Sequence, residues 1–196
     1  MNRSPRQKLK LLAIAVIALA TLLIGLSLLG TSRNRASADA ANWSYASNSA
    51  PSGLVQQIAA NHLSPDLPVD SGRMKVLNVQ LPGQKQPLYL VDSRITNLAQ
   101  YPHVNPLCGA SGCAFFGYIP TDIPKEQQFQ EVWNAYLNVN LPPNVSLFES
   151  SDALQNGLPV LKINQMQGNR VEQSHWSFNG QEYEVTKTLL TPQTYE

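Results

Sequence analysis

A stretch of twenty consecutive uncharged residues, Leu11 to Gly30, constrains the fold of this chain more than any other feature of its sequence. Only Thr21 and Ser27 within it carry a hydroxyl group. As a helix the stretch would be about 30 Å long, which matches the hydrocarbon core of a bilayer. A helix that is apolar on every face does not suit a small water-soluble domain. We therefore predict a transmembrane signal anchor over residues 11–30, with the lipid bilayer as its partner.

Basic residues flank this stretch on both sides. Four of them lie in residues 1–10, and two more, Arg33 and Arg35, follow Gly30. The larger basic cluster favours the cytoplasmic side, so residues 1–10 are predicted to be a cytoplasmic basic tail. The chain is then a single-pass membrane protein whose C-terminal domain lies in a periplasm or a lumen.

A cleavable secretory signal is the alternative interpretation. Small residues at Ala36, Ala38 and Ala40 resemble a cleavage site, and cleavage near Ala40 would give a secreted chain. The apolar stretch is longer than the usual signal core, and Arg33 and Arg35 separate it from these alanines. The anchor is therefore preferred, and both interpretations place residues 41–196 outside the cytoplasm.

The formal net charge of +1 combines two segments of opposite sign. Residues 1–40 contain six basic and one acidic residue, whereas residues 41–196 contain eight basic and twelve acidic residues. The domain outside the apolar stretch is therefore mildly acidic, which argues against nucleic acid as a partner. Its polarity comes largely from amides, since the chain has 16 asparagines and 16 glutamines.

Composition and hydrophobic periodicity divide the remaining chain into three parts. Residues 31–53 are rich in Ser, Ala and Asn, and we predict a flexible stalk there. An extracytoplasmic α+β domain is predicted over 54–190, and a C-terminal tail over 191–196. Trp43 and Tyr45 interrupt the stalk, and we expect them to touch the domain or the membrane interface.

The domain is predicted to be small and mostly antiparallel, with about two helices and six or seven strands. Apolar residues recur at helical spacing over 54–63 and again over 125–137, where Pro124 suits a helix start. Strand patterns occupy 74–81, 87–92, 114–119, 145–148 and 160–163. Residues 171–178 and 181–189 flank Asn179-Gly180, which predicts a hairpin. The mixed parity of Val171 and Trp176 implies a bulge or a partly two-sided strand in that hairpin.

Cys108 and Cys113 enclose the loop Gly109, Ala110, Ser111 and Gly112. Two cysteines this close in an oxidising compartment are expected to form a disulfide, and the small loop residues permit the reversal. A second interpretation of the loop is an anion-binding nest of backbone N–H groups. A third is a redox-active thiol pair, and a fourth is a zinc site that adds His103 and His175. We predict no metal ion and no cofactor.

The sequence Cys108-Gly-Ala-Ser-Gly-Cys113, followed by Ala114-Phe-Phe, and the later sequence Trp176-Ser-Phe-Asn-Gly-Gln-Glu-Tyr183 resemble motifs of exported bacterial β-rich domains. The high Asn and Gln content and the predicted anchor also resemble those of cyanobacterial envelope proteins. The resemblance spans the region from Cys108 to Tyr183. It implies an extracytoplasmic β-rich domain, but these families have no assigned activity from which site residues could be carried over.

Catalytic motifs are sparse. Glu182 and Glu184 lie two residues apart, and such a carboxylate pair is the basis of an alternative function as an envelope hydrolase. An exposed strand face is the simpler explanation for them. His62 ends the first predicted helix, where a cation suits the negative end of the dipole. Trp176 and Phe178 share one strand face, as core residues or as an aromatic platform for a sugar. We expect a non-enzymatic membrane-anchored accessory module that binds a protein or an envelope polymer.

Overall fold

The computed structural model describes residues 43–64, 69–95, 105–121, 128–149 and 151–191. These residues form two short helices, one 3₁₀ turn and twelve strands. The helices are α1 (Ala46–Ser49) and α2 (Leu54–His62), and the 3₁₀ turn is Ser71–Arg73. The strands are β1 (Ser44–Tyr45), β2 (Lys75–Val79), β3 (Leu88–Asp92), β4 (Cys108–Gly109), β5 (Gly112–Pro120), β6 (Phe129–Leu137), β7 (Phe148–Glu149), β8 (Leu154–Gln155), β9 (Leu158–Pro159), β10 (Leu161–Gln167), β11 (Arg170–Phe178) and β12 (Tyr183–Thr191).

The strands form two antiparallel sheets and a small hairpin. The first sheet runs β1-β2-β3-β5, with β4 beside β3 on one edge of β5 and β6 along the other edge. The second sheet runs β12-β11-β10-β7, and β8 pairs with β9. All strand pairs among the described residues are antiparallel, as the short connections and alternating patterns predict.

Strand β5 is the centre of the fold, and its side chains alternate between two apolar cores. Phe115 and Ile119 belong to the first core, which also takes in Phe148 and Ile163 from the second sheet. The even-numbered side chains of β5 face the second core, which includes Leu54 and Ile58 of α2. Because both faces of β5 are covered, residues 113–119 are a continuous buried run.

The helix predicted over 125–137 is wrong in its described part, because residues 129–137 form strand β6. Residues 125–127 lie outside the described residues. Its register with β5 shifts where Gly117 pairs with Trp133 and Tyr118 pairs with Glu131, so Val132 is an extra residue. A single-residue bulge places neighbouring apolar side chains at 132 and 133 toward the same core. The spacing 129, 132, 133 and 137 that results imitates the helical period.

The predicted α+β class is therefore corrected to a mostly antiparallel β structure with two short helices. The helix predicted over 54–63 is confirmed as α2. In the described part of the chain, no helix has the length and apolar character to cross a membrane. The transmembrane helix predicted over 11–30 lies outside the described residues. So does the C-terminal tail predicted over 191–196, except for Thr191, which ends β12.

The predicted stalk ends too late in the sequence. Residues 44 and 45 pair with Val76 and Lys75 of β2, and Ala46 is fully buried in the second core. Trp43 packs against Phe148, with 5.9 Å between ring centroids. The composition of this segment does not indicate its pairing with β2, because the residues around Trp43 are small and polar. The pairing itself uses backbone groups that every residue carries.

The hairpin predicted around Asn179-Gly180 is confirmed, and so is the irregularity expected within it. Phe178 pairs with Tyr183, and the register shifts between His175 and Trp176, which leaves Thr186 of β12 as the extra residue. The turn itself is longer than a two-residue loop. It spans Asn179 to Glu182 and is closed by the Asn179 N–H, which donates to the Glu182 carbonyl at 2.9 Å.

The two-residue turn that the Asn-Gly signal describes occurs instead at Asn156-Gly157. Both residues have positive φ angles, 52° and 90°, and they join Gln155 to Leu158 in the β8–β9 hairpin. The strands beside this second Asn-Gly pair are only two residues long. No alternating pattern therefore marks the hairpin in the sequence, and it was not predicted.

Candidate functional site

The two cysteines form the predicted disulfide. Cys108 of β4 and Cys113 of β5 are directly opposite each other in the strand register, and Gly109 pairs with Gly112. The bond therefore closes a tight hairpin whose tip is Ala110-Ser111. Cys113 is buried in the first core, so the disulfide fixes the hairpin to the body of the domain.

The predicted binding loop, residues 109–112, is exposed except at Gly112, which packs against the end of β6. Gly109, Ala110 and Ser111 are exposed. Gly112 has a φ of 120°, and a Cβ atom there would lie 2.2 Å from the Leu137 carbonyl oxygen. Glycine is needed at 112 because β6 passes too close for any side chain, so close packing accounts for this residue without a ligand. Anion binding by the loop stays a prediction.

Removing the disulfide should destabilise the domain without unfolding it at room temperature. We expect the double variant Cys108→Ser, Cys113→Ser to lose about 2 kcal/mol of unfolding free energy, because a short loop restricts the unfolded chain only modestly. Urea unfolding of both proteins measures this difference. A reducing agent should lower the stability of the unmodified protein and leave that of the variant unchanged; equal curves for the two oxidised proteins would contradict the prediction.

The predicted aromatic pair packs inward. Phe178 is buried in the first core, 5.7 Å from Tyr183 between ring centroids. Trp176 is partly buried, meets Trp133 edge to face at 6.0 Å, and donates from Nε1 to the Ser174 hydroxyl at 2.9 Å. Phe178 is therefore a residue of the first core, and Trp176 packs against that core.

The remaining predicted site residues do not come together. Glu182 lies in the turn before β12, Glu184 lies on β12, and both are exposed. His175 on β11 contacts Gln173, and His103 lies outside the described residues. Among the described residues no group of three or more His, Cys, Asp or Glu side chains could hold a metal ion.

A cluster of three polar side chains, which we call the histidine cluster, lies on the face of the first sheet toward α2. It consists of His62, Tyr118 and Glu131. His62 Nε2 is 2.6 Å from Glu131 Oε2, and the Tyr118 hydroxyl donates to the same oxygen at 2.9 Å. His62 Nε2 and the Tyr118 hydroxyl are 3.0 Å apart. Because the carboxylate can only accept, Nε2 carries a proton when it donates to Glu131.

Neighbouring residues hold this cluster in place. The amide of Asn134 donates to Glu131 Oε1 at 2.7 Å. The His62 ring stacks on Phe116, with 3.8 Å between centroids and 17° between ring planes. Asn134 and Phe116 are themselves paired across β5 and β6. The imidazole is therefore fixed both by its ring contact and by its hydrogen bonds.

Burial and hydrogen bonding act in opposite directions on Glu131. Burial alone would raise the pKa of its carboxyl group, but the hydrogen bonds from His62, Asn134 and Tyr118 outweigh burial and lower that pKa below its ordinary value. Burial and the nearby Glu131 charge both raise the pKa of the Tyr118 hydroxyl. The cluster thus keeps an ionised carboxylate beside a neutral tyrosine.

The bulge in β6 is what brings Glu131 to this face. Residues 134 and 136 pair with Phe116 and Ala114, and they lie on the same face of the sheet as these two residues, toward the second core. Without the extra residue Val132, strand alternation would turn Glu131 to the opposite face. Bulges often redirect a side chain in this way near functional sites.

A cleft of about 190 Å³ opens beside the histidine cluster. Its lining comes from α2, from the residue before β4 and from both central strands: His62, Leu107, Ala114, Phe116, Asn134, Ala135 and Tyr136. Tyr136 is 59 % exposed, whereas Phe116 and Ala114 are buried. The cleft therefore has an apolar interior, two polar side chains and an aromatic ring at its surface.

Sequence reasoning missed this site because its members are far apart in the chain. From the sequence, His62 suits the negative end of a helix dipole, and Glu131 falls within a predicted helix. The usable signal was the alternation of Ala114, Phe116 and Tyr118 in a strand, which marks one face. The partners on β6 could not be found without the bulge.

The second feature of functional interest is the edge strand β12. Eight of its nine residues are exposed, and it lies at the end of the second sheet in the described structure. Val185, Leu189 and Leu190 are 48 %, 40 % and 52 % exposed. Long edge strands with exposed apolar side chains are rare in isolated domains because they pair with other chains.

Comparisons with protein-family models, with curated proteins and with solved structures find no match to this chain. Its function is therefore inferred from the geometry of the cleft and of β12.

Proposed function

We propose that this chain is an extracytoplasmic binding module that pairs β12 with an extended segment of a partner protein. The observation that carries the proposal is the exposed length of β12 together with its apolar side chains. An added strand would satisfy the outward backbone N–H and C=O groups of β12 and cover Leu189 and Leu190. The Cys108–Cys113 disulfide supports a location outside the cytoplasm, because such bonds persist in oxidising compartments.

The pairing surface is the second half of β12. The extra residue Thr186 interrupts the ladder, whereas residues 187–191 pair regularly with 171–175 of β11. Bulges disfavour the addition of another strand, so Tyr183 to Val185 is the less suitable half. Leu189 and Leu190 point to opposite faces of this regular segment. A partner segment with alternating apolar side chains would therefore meet one leucine on each face.

A site-specific crosslinking experiment tests this assignment. The full chain carries a photoreactive amino acid at position 190 or, as a control, at the similarly exposed position 185. We expect a defined adduct with a second protein from position 190 and at least tenfold less from position 185. Leu189→Asp should abolish the adduct from position 190, since a charge on the apolar contact would have to be desolvated.

Two outcomes would overturn the proposal. Adducts that contain only this chain would assign the edge to self-association, and equal adducts from positions 185 and 190 would show that contact is not specific to the second half of β12. Urea unfolding of Leu189→Asp is the folding control. We expect a change within about 0.5 kcal/mol because the leucine is exposed.

A further inference from the structure

We propose that the cleft beside His62 binds the acetamido group of an amino sugar, with the sugar ring against Tyr136. This site is separate from β12, which contributes no residue to the cleft, so the inference does not depend on the proposed protein partner. It rests on the volume of the cleft, its apolar lining, its two polar side chains and its exposed ring.

The volume limits the ligand to a small group. The cleft of about 190 Å³ is smaller than the roughly 300–1,000 Å³ of typical small-molecule pockets. An acetamido group and one edge of a pyranose ring fit this space, whereas a whole disaccharide or a folded peptide element does not. The remainder of a longer sugar chain would lie outside on the surface.

The polar side chains match a neutral amide. Asn134 donates one N–H of its side chain to Glu131, which leaves its other N–H and its carbonyl oxygen to pair with an amide. The hydrogen-bond partners of His62 in the described structure are both at Nε2, so Nδ1 is the ring nitrogen available to a ligand. The two side chains that line the cleft, His62 and Asn134, therefore offer both a donor and an acceptor to the amide of a ligand.

The Glu131 carboxylate next to the cleft is already hydrogen-bonded within the protein. It receives hydrogen bonds from His62, Tyr118 and Asn134. Since three donors already surround it, the carboxylate does not require a cation from the ligand. The cleft is therefore better matched to a neutral amide than to an ammonium group.

The apolar lining suits the rest of an acetamido sugar. Leu107, Ala114 and Phe116 can contact a methyl group, and apolar walls with a few polar groups are typical of small-molecule sites. Tyr136 is 59 % exposed at the same cleft. The C–H face of a pyranose is apolar and can cover such a ring, which removes both surfaces from water.

Saturation-transfer NMR with three related sugars tests the proposal. The full chain, kept in detergent because residues 11–30 are apolar, is mixed separately with N-acetylglucosamine, glucose and glucosamine. These probes differ only in the acetamido, hydroxyl or amino group at one carbon. We expect N-acetylglucosamine to bind at least tenfold more tightly than the other two, with the acetamido methyl protons receiving the largest saturation.

Variants then locate the site. Tyr136→Ala should reduce affinity for N-acetylglucosamine at least tenfold, whereas Tyr45→Ala, which removes a similarly exposed tyrosine from β1, should leave it unchanged. Asn134→Ala should also weaken binding, and thermal unfolding shows whether each variant is folded. Equal binding of the three sugars, preference for glucosamine, no binding, or an unchanged affinity in folded Tyr136→Ala would overturn the proposal.

Discussion

Replacing Gly112 with alanine is expected to lower the free energy of unfolding by about 3 kcal/mol. Gly112 has a φ of 120°, which side-chain-bearing residues rarely adopt, and an added Cβ would lie 2.2 Å from the Leu137 carbonyl oxygen. The clash involves backbone atoms of β6, so rotation of a side chain cannot relieve it. Either the disulfide hairpin or β6 would have to move.

Gly109 is the matched control for this prediction. It faces Gly112 in the same hairpin, and an added Cβ would meet no atom within 4 Å. We expect Gly109→Ala to change stability by less than about 1 kcal/mol, in either direction. Urea unfolding of both variants measures the difference. Similar losses at the two positions would mean that β6 does not constrain the hairpin as the structure indicates.

The second large effect is expected at Glu131. Glu131→Ala should cost about 2–3 kcal/mol at neutral pH, because it removes a charged acceptor from three donors and leaves the Tyr118 hydroxyl, which is fully buried, without its carboxylate. Glu184→Ala is the control, since Glu184 is an exposed glutamate on β12. A loss as small as that of the control would contradict the role assigned to the cluster.

This effect should depend on pH in a defined direction. The folded protein lowers the pKa of Glu131 below its ordinary value of 4.5. The carboxylate therefore contributes its stability above that value and loses it as the pH falls through the lower folded-state pKa. The stability difference between the unmodified protein and Glu131→Ala should shrink as the pH is lowered from about 5. Unfolding curves at a series of acidic pH values measure this, and a difference that grows toward acid would be contrary to expectation.

Features coded by neighbouring residues could be predicted from the sequence. The disulfide follows from two cysteines separated by a short glycine-containing loop, and the β11–β12 hairpin follows from two alternating segments around a turn. Strand β5 was recognisable as a continuous apolar run. In each case the residues that determine the structure lie within about twenty positions of one another, so no long-range information is required.

The errors arose where tertiary structure changed a local pattern. Strand β6 has helix-like spacing because Val132 is inserted opposite β5, and nothing within the strand itself distinguishes a bulge from a helix turn. The site depends on the same insertion, since it places Glu131 beneath His62, which is 69 residues earlier in the chain. The cleft could not be predicted because both the strand assignment and the distant partner were needed together.

All three tryptophans of the chain lie at one of the two cores. Trp133 is part of the first core, and Trp43 and Trp176 pack against it. The second core contains Tyr118, with Tyr89 at its margin, and no tryptophan among its described residues. Tryptophan fluorescence therefore reports on the first core alone, and amide exchange in α2 reports on the second. Comparison of the two signals during heating would show whether the layers on either side of β5 melt as one cooperative unit.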